Sequence, residues 1–248
     1  MTTPSSQADH GSIRLHVSAP LGAGASVLLE ERQARYLGTV MRRSAGDRLR
    51  LFNGQDGEWR AVIRDMGKRG VRLEAETQIR PQIAEPDLWL LLSIIKRDAL
   101  EWAVEKATEL GVAEIHPVVT ARSQPARPNP ERLAAIAVEA AEQCERLSIP
   151  RIHAAQPLEN LLRGWPEGRP LVAAIERDGA ATAPPPLVSG ALLVGPEGGF
   201  DPRELDVLRR LPFLVAASLG ARILRAETAA IVGLALLQRP SEFLNNDA

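Results

Sequence analysis

Two short stretches of the chain combine residue types that could hold a small molecule. GPEGGF at residues 195–200 and LGARILRAET at residues 219–228 each mark the point where an apolar run stops at glycine. Gly198 and Gly199 can take positive φ without steric cost and offer no side chain to keep a ligand off the main chain. Such a turn either cradles a ligand on backbone groups or merely lets a strand turn sharply into a helix. The Lys-Ser/Thr ending of a Walker loop is absent, and so is the spacing of a GxGxxG fingerprint. A ligand here would rest on backbone amides and apolar walls. Elsewhere Glu139, Glu142, Gln143 and Arg146 fall at spacings of three and four, which predicts one shared helix face. Glu142 and Arg146 then read either as a chemical pair or as a surface ion pair.

A third feature is electrostatic. The chain of 248 residues carries a net charge of -1, yet residues 1–80 hold 13 Lys and Arg against 9 Asp and Glu. Between Arg32 and Arg50 six arginines, among them Arg35, Arg42 and Arg43, face only Asp47. A local basic patch on a near-neutral protein is either a footprint for phosphates or a solvated face. Metal chemistry is not expected: one cysteine and four scattered histidines give no ligand spacing for zinc, and Cys144 reads as a core residue. The longest apolar run, residues 229–237, is too short to span a bilayer, and the amino terminus lacks a signal-peptide core. The expectation is a cytoplasmic protein with no membrane partner and a disordered segment over residues 1–12.

The elements that must position these residues fall into two domains. Residues 13–80 show short, partly alternating runs (IRLHV, SVLLE, DRLRLFN, EWRAVI, VRLEAE) with turn signals between them, which predicts a small β-rich barrel or sheet. A proline-bearing joint near residues 80–86 leads into an α/β domain over residues 84–240. There LWLLLSII, IHPVVT, PLVAAI, ALLVG and FLVAASLG read as buried parallel strands. Asp98 with Glu101 is expected to cap one helix, Asn129-Pro130 to start a second, and Asp201-Pro202 with Glu204 a third. The second helix should bury Leu133, Ile136, Ala137, Ala140, Cys144 and Leu147. In an open α/β sheet ligands bind beyond the carboxyl ends of the strands, where both glycine corners lie. The last helix, from Ala226 to Gln238, is apolar on nearly every side and must be covered by the sheet or by another subunit.

Read in order, RLHV at 14, YLGTVMRRSAGD at 36, LFNG at 51, KRDALEWAVEKATELGV at 96, ARSQ at 121, EQCER at 142, GPEGGF at 195 and LGARILRAETAA at 219 resemble the bacterial 16S ribosomal RNA (uracil-N3)-methyltransferases of the SPOUT class. The resemblance implies a small amino-terminal PUA-like β-barrel that binds RNA and a carboxyl-terminal SPOUT domain with a trefoil knot. It implies S-adenosyl-L-methionine as cofactor, held by Ile175, Gly195, Pro196, Glu197, Gly198, Leu219, Gly220, Ile223, Leu224, Arg225 and Thr228, with Glu176 beside Ile175. The implied substrate is ribosomal RNA or the small ribosomal subunit, gripped through Arg32, Arg35, Arg42 and Arg43, and the implied assembly is a homodimer. Displacement at a methyl carbon requires mainly alignment. Uracil N3 must also lose a proton while the ring's charge is stabilised, for which Arg225, Arg122 and Arg146 are the candidate cations. Glu142 or Glu227 would accept the proton or orient an arginine. Two other readings stay open: an RNA-binding or assembly module without catalysis, and related chemistry on a ribose hydroxyl or a tRNA base.

Overall fold

The computed structural model describes residues 13–67, 70–175 and 182–239. The chain divides into two compact units, with the boundary between Ala84 and Glu85. The segment expected to be disordered, residues 1–12, lies outside the described residues.

The first unit contains β1 (Arg14–His16), β2 (Ser26–Leu28), α1 (Glu31–Arg35), β3 (Arg48–Phe52), β4 (Glu58–Gly67) and β5 (Gly70–Arg80). The strands pair in the order β1-β3-β4-β5-β2, with β1 parallel to β3 and the other pairs antiparallel. Alternation sends Leu49, Leu51, Ala61, Ile63, Val71 and Leu73 to one face, and Leu15 and Val27 from the two edge strands join the same core. Edge strands that share a core mean that the sheet wraps around it. On the other face the fully buried Glu58 gathers Arg14, Arg80 at 3.3 Å and Arg50 at 3.7 Å, which satisfies an otherwise costly carboxylate. The expected strands are all present. The addition is helical: α1 runs into a π-helical turn at Tyr36–Val40, whose Leu37 is fully buried in the core of this unit.

The second unit contains β6 (Asp87–Ser93), α2 (Arg97–Glu109), β7 (Glu114–Val119), α3 (Pro130–Gln143), β8 (Arg151–Ile152), β9 (Gln156–Pro157), α4 (Leu158–Arg163), β10 (Leu171–Ala174), β11 (Ser189–Val194), α5 (Pro202–Arg209), β12 (Leu214–Ala217) and α6 (Ala226–Leu237). Its sheet is parallel throughout, in the order β12-β10-β11-β6-β7-β8, with β9 also on β7. One face, including Leu90, Leu92, Ile115, Val172 and Leu192, is covered by α2, α3 and α6. The other, including Leu91, Ala173, Ala191 and Leu193, is covered by the shorter α4 and α5. Helix α6 lies so close to β11 that a Cβ on Gly233 would sit 2.6 Å from Leu192 Cδ2.

The helix signals hold at two of three starts. Asn129 caps α3 by accepting from the amides of Glu131 and Arg132, and Asp201 with Glu204 forms a full capping box on α5. At α2 the N-cap is Lys96, with no side-chain cap, and Asp98 stands inside the first turn. Glu101 does not cap but pairs with Arg97 and Arg132, an i,i+4 pair outbidding the box. Helix α3 ends at Gln143, earlier than the apolar stripe suggested. Cys144 is its C-cap and is exposed rather than core, because the chain turns away there through Glu145 at φ 60°. Arg146 therefore shares no helix face with Glu142. It is buried in the following turn, where it donates to the carbonyls of Thr108 (3.1 Å) and Val112 (2.7 Å) and pairs with Glu85 at 2.6 Å.

Candidate active site

In the sheet order the chain switches direction around β10 and β11, and the loops leaving β10, β11 and β12 open at the same end. A cavity of 330 Å³ lies there. The ends of the three strands, at Ala174, Val194 and Ala217, form its floor, with Ala226 and Ala229 of α6 behind. Small residues at these points leave the room that larger ones would fill. The turn after β11 supplies one wall through Gly195, Pro196, Glu197, Gly198 and Gly199, and the loop after β12 supplies another through Leu219, Ile223 and Leu224.

The glycines of this turn do different work. Gly199 is the one at positive φ, 68°, and its amide donates to the Pro196 carbonyl at 2.8 Å, which closes the turn. Gly198, expected to share that conformation, does not have positive φ. A Cβ on it would meet the Arg122 side chain at 3.4 Å. Gly195 is required by packing: a Cβ there would stand 3.0 Å from the ring of Phe200, which folds back under the turn. Both glycine corners of the sequence thus border one space.

Of the expected cofactor residues, Ile175, Gly195, Pro196, Glu197, Gly198, Leu219, Ile223 and Leu224 line the cavity, while Gly220, Arg225 and Thr228 do not. Gly220 shapes the loop at φ 123°, and Arg225 is the exposed N-cap residue of α6 with no side-chain cap bond. Glu176 lies outside the described residues. Among the expected cations Arg122 reaches the cavity, donating from Nη1 to the Gly198 carbonyl at 2.8 Å with Asp201 at 3.6 Å. Glu142 and Arg146 do not line it. Phe200, directly after the glycines, and the strand-end alanines were missed. The rule that parallel strands present ligands at their carboxyl ends could have found Ala174 and Ala217.

Two histidines that look scattered in the sequence come together outside this cavity. The rings of His116 and His153 stack at 3.9 Å with 13° between their planes, and both Nε2 atoms face Glu114 Oε2, at 3.0 and 2.6 Å. Both rings thus converge on one carboxylate oxygen, and Glu114 serves them as a shared hydrogen-bond acceptor, the three side chains' ligand atoms lying within 4.8 Å of one another. Burial first, and then the neighbouring His153, pushes His116 down to about 4. Its Nδ1 is buried without a hydrogen-bond partner among the described residues, as fits a neutral ring protonated at Nε2.

Comparison with known proteins fits this geometry. An RNA methyltransferase domain family matches residues 84–238, and an RNA methyltransferase PUA domain family matches residues 29–76. The ribosomal RNA small subunit methyltransferase E of Rickettsia conorii is 35% identical over 229 residues, covering 90% of this chain and 93% of the relative. The chain belongs to this RNA methyltransferase family. The Bacillus subtilis protein of the same name is 31% identical over 87% of this chain and 90% of its own length. Among solved structures, a methyltransferase from Legionella pneumophila in complex with its bound cofactor SAM aligns with a TM-score of 0.77 at 30% identity, covering 92% of this chain and 97% of that one. A ribosomal RNA small subunit methyltransferase E from Neisseria gonorrhoeae bound to S-adenosyl methionine aligns with a TM-score of 0.80 at 26% identity and the same coverage.

Proposed function

We propose that this chain binds S-adenosyl-L-methionine in the cavity beyond β10, β11 and β12 and methylates N3 of a uridine in 16S ribosomal RNA. The observation that carries the reading is the cavity itself, with a closed backbone turn on one side, apolar walls, and Arg122 reaching in from another loop. Its volume of 330 Å³ falls within the range of small-molecule sites. The relatives' names and the cofactor-bound structures of two of them support the reading.

The bound cofactor would supply an electrophilic methyl carbon on a sulfonium. The chain's own residues do the rest. Gly195, Gly198 and Gly199 bring the main chain close, while Ile175, Leu219 and Leu224 keep water from the reacting centre. Arg122 stands at the rim and is the cation best placed to stabilise a uracil ring that has lost its N3 proton. Arg225, at the head of α6, is a second candidate, and Glu227 in the first turn of that helix is the proposed proton acceptor. Arg146 acts on the fold and is not assigned to the reaction. Arg32, Arg35, Arg42 and Arg43 are proposed to hold RNA phosphates. The SPOUT knot, a cytoplasmic location and a homodimer belong to the same reading. For the dimer, α6 keeps a partly exposed outer face at Ile231, Val232 and Leu236.

Calorimetry with S-adenosylmethionine, followed by nucleoside mass spectrometry of small subunits incubated with protein and cofactor, tests the reading. A new 3-methyluridine in 16S RNA is expected. Methylation of a ribose instead would replace the target, and no cofactor binding by the folded protein would remove the reading altogether.

A further inference from the structure

Arg122 is placed by a carboxylate on another element. The loop after β7 begins with a turn in which the Ser123 amide donates to the Thr120 carbonyl at 3.1 Å and the Thr120 amide donates to Ser123 Oγ at 2.9 Å. Gln124 ties its far side to the Ile94 carbonyl at 2.8 Å. Arg122 stands at the apex, exposed, with no fixed neighbour of its own on this loop. Beside Arg122's own bond to the Gly198 carbonyl at 2.8 Å and its pairing with Asp201 at 3.6 Å, a backbone link between this loop and the glycine turn runs through Glu204, in the first turn of α5. Its Oε1 accepts from the Ala121 amide at 2.7 Å and its Oε2 accepts from the Asp201 amide at 2.9 Å. One carboxylate thus joins two backbones that are eighty positions apart in the chain, next to the residue that bonds Gly198 on one side and directly after GPEGGF on the other.

We infer that Glu204 is a positioning residue for the proposed methyl transfer: it holds the Arg122 loop against the glycine turn, beyond its service as a helix cap. A cap needs only the Asp201 amide. The bond to Ala121 adds nothing to α5 and serves the loop alone. Each oxygen takes one N–H, so glutamine cannot replace it: its amide nitrogen would face one of the two donors. Aspartate is one methylene too short to reach both. The inference rests on the functional reading above for its effect on turnover, though not for its effect on the loop.

The test is a double-mutant cycle with Glu204→Gln, Arg122→Ala and the double variant, read as turnover and cofactor affinity, with amide exchange measured in the cofactor-free protein. Glu204→Gln is expected to lower turnover roughly tenfold or more, the size associated with losing a charge-assisted hydrogen bond, while changing cofactor affinity much less. The double variant should be no slower than Arg122→Ala alone, since Glu204 acts through Arg122. Additive losses would assign Glu204 to the cap only and overturn the inference. Amide exchange at residues 121–124 should speed up in Glu204→Gln while β7 stays protected, whatever reaction the protein performs; unchanged exchange would also overturn it. Should Glu204→Gln fail to fold, Ala121→Pro removes the loop's donor and leaves the α5 cap intact. The same drop in turnover is expected, and full turnover in that variant would refute the clamp. A wild-type protein without methyl transfer but with the exchange effect would sink the functional reading and leave the clamp standing.

Discussion

The Arg122 guanidinium donates to the Gly198 carbonyl at 2.8 Å, and its stem lies 3.4 Å from where a Cβ on Gly198 would be. The loop after β7 and the turn after β11 are therefore one surface at the cavity. A planar fork makes this bond while keeping further N–H groups for a substrate, and an ammonium does not have that geometry. Arg122→Lys should keep cofactor affinity within a few-fold yet lose roughly tenfold or more in turnover. Equal losses in both would move Arg122 from the reaction to cofactor binding.

The three glycines of the turn should rank by the constraint each meets. Gly199→Ala forces a side chain into the left-handed region at φ 68°, at a cost of about 1–2 kcal/mol. Gly195→Ala drives a methyl to 3.0 Å from the Phe200 ring, an overpacking worth roughly 1–3 kcal/mol. Gly198→Ala makes an ordinary contact with a flexible arginine stem and should be the mildest. Thermal denaturation and cofactor calorimetry on the three variants check the order. A Gly198→Ala protein as damaged as Gly199→Ala would mean that the backbone changes conformation when ligand enters.

The glycine corners, the strands and two helix caps were legible because each is written in local residue types: GPEGGF in turn chemistry, Asn129-Pro130 and Asp201-Pro202 in capping chemistry. What was illegible depends on pairing across the chain. No local pattern puts β10 and β11 side by side at the switch in strand order, brings His153 onto His116, or sends Arg146 to the end of α2. Cys144 was misplaced because the apolar stripe of α3 continues in sequence after the helix itself has ended. Gly198 was credited with a conformation that only its neighbour needs.

Arg146 provides a test of structure against catalysis. Its side chain is 6% exposed and paired with Glu85, so Arg146→Ala takes the charged donor from Glu85, which keeps Ser148 Oγ, and from the carbonyls of Thr108 and Val112, of which Thr108 keeps the Gly111 amide. Losing one partner of a buried pair typically costs about 3–5 kcal/mol. A large fall in the urea midpoint is expected, with turnover per folded molecule unchanged. Normal stability with lost turnover would restore Arg146 as a reaction residue.

Acid should weaken the α/β unit through His116. In the folded protein this ring titrates at about 4, below its ordinary 6.5, because it is buried and stacked on His153. The unfolded chain therefore takes up a proton first as pH falls, and stability is lost between 6.5 and 4, with no further loss from this group below that range. His116→Phe keeps a ring in place and removes the titration. Urea midpoints at pH 7 and pH 4.5 should fall further for the wild type than for the variant. Parallel falls would show that the acid sensitivity lies with the carboxylates.

Arg42 offers a separation of RNA binding from folding. It is exposed in the turn after the π-helical segment and holds φ 50°, a conformation that costs a side chain about 1–2 kcal/mol and glycine little. Arg43 beside it is half-buried, with its Nε lacking a hydrogen-bond partner among the described residues, so its substitution would mix packing with charge. Arg42→Gly should leave the unit as stable or slightly more stable while weakening RNA binding, because strain and positive charge leave together. If Arg42 neutralises one phosphate, the slope of log affinity against log salt should become shallower by roughly 0.7 to 0.9. Adding Arg35→Glu should flatten it further. A slope unchanged in both variants would make this arginine stretch a solvated face and shift the RNA contact to another surface.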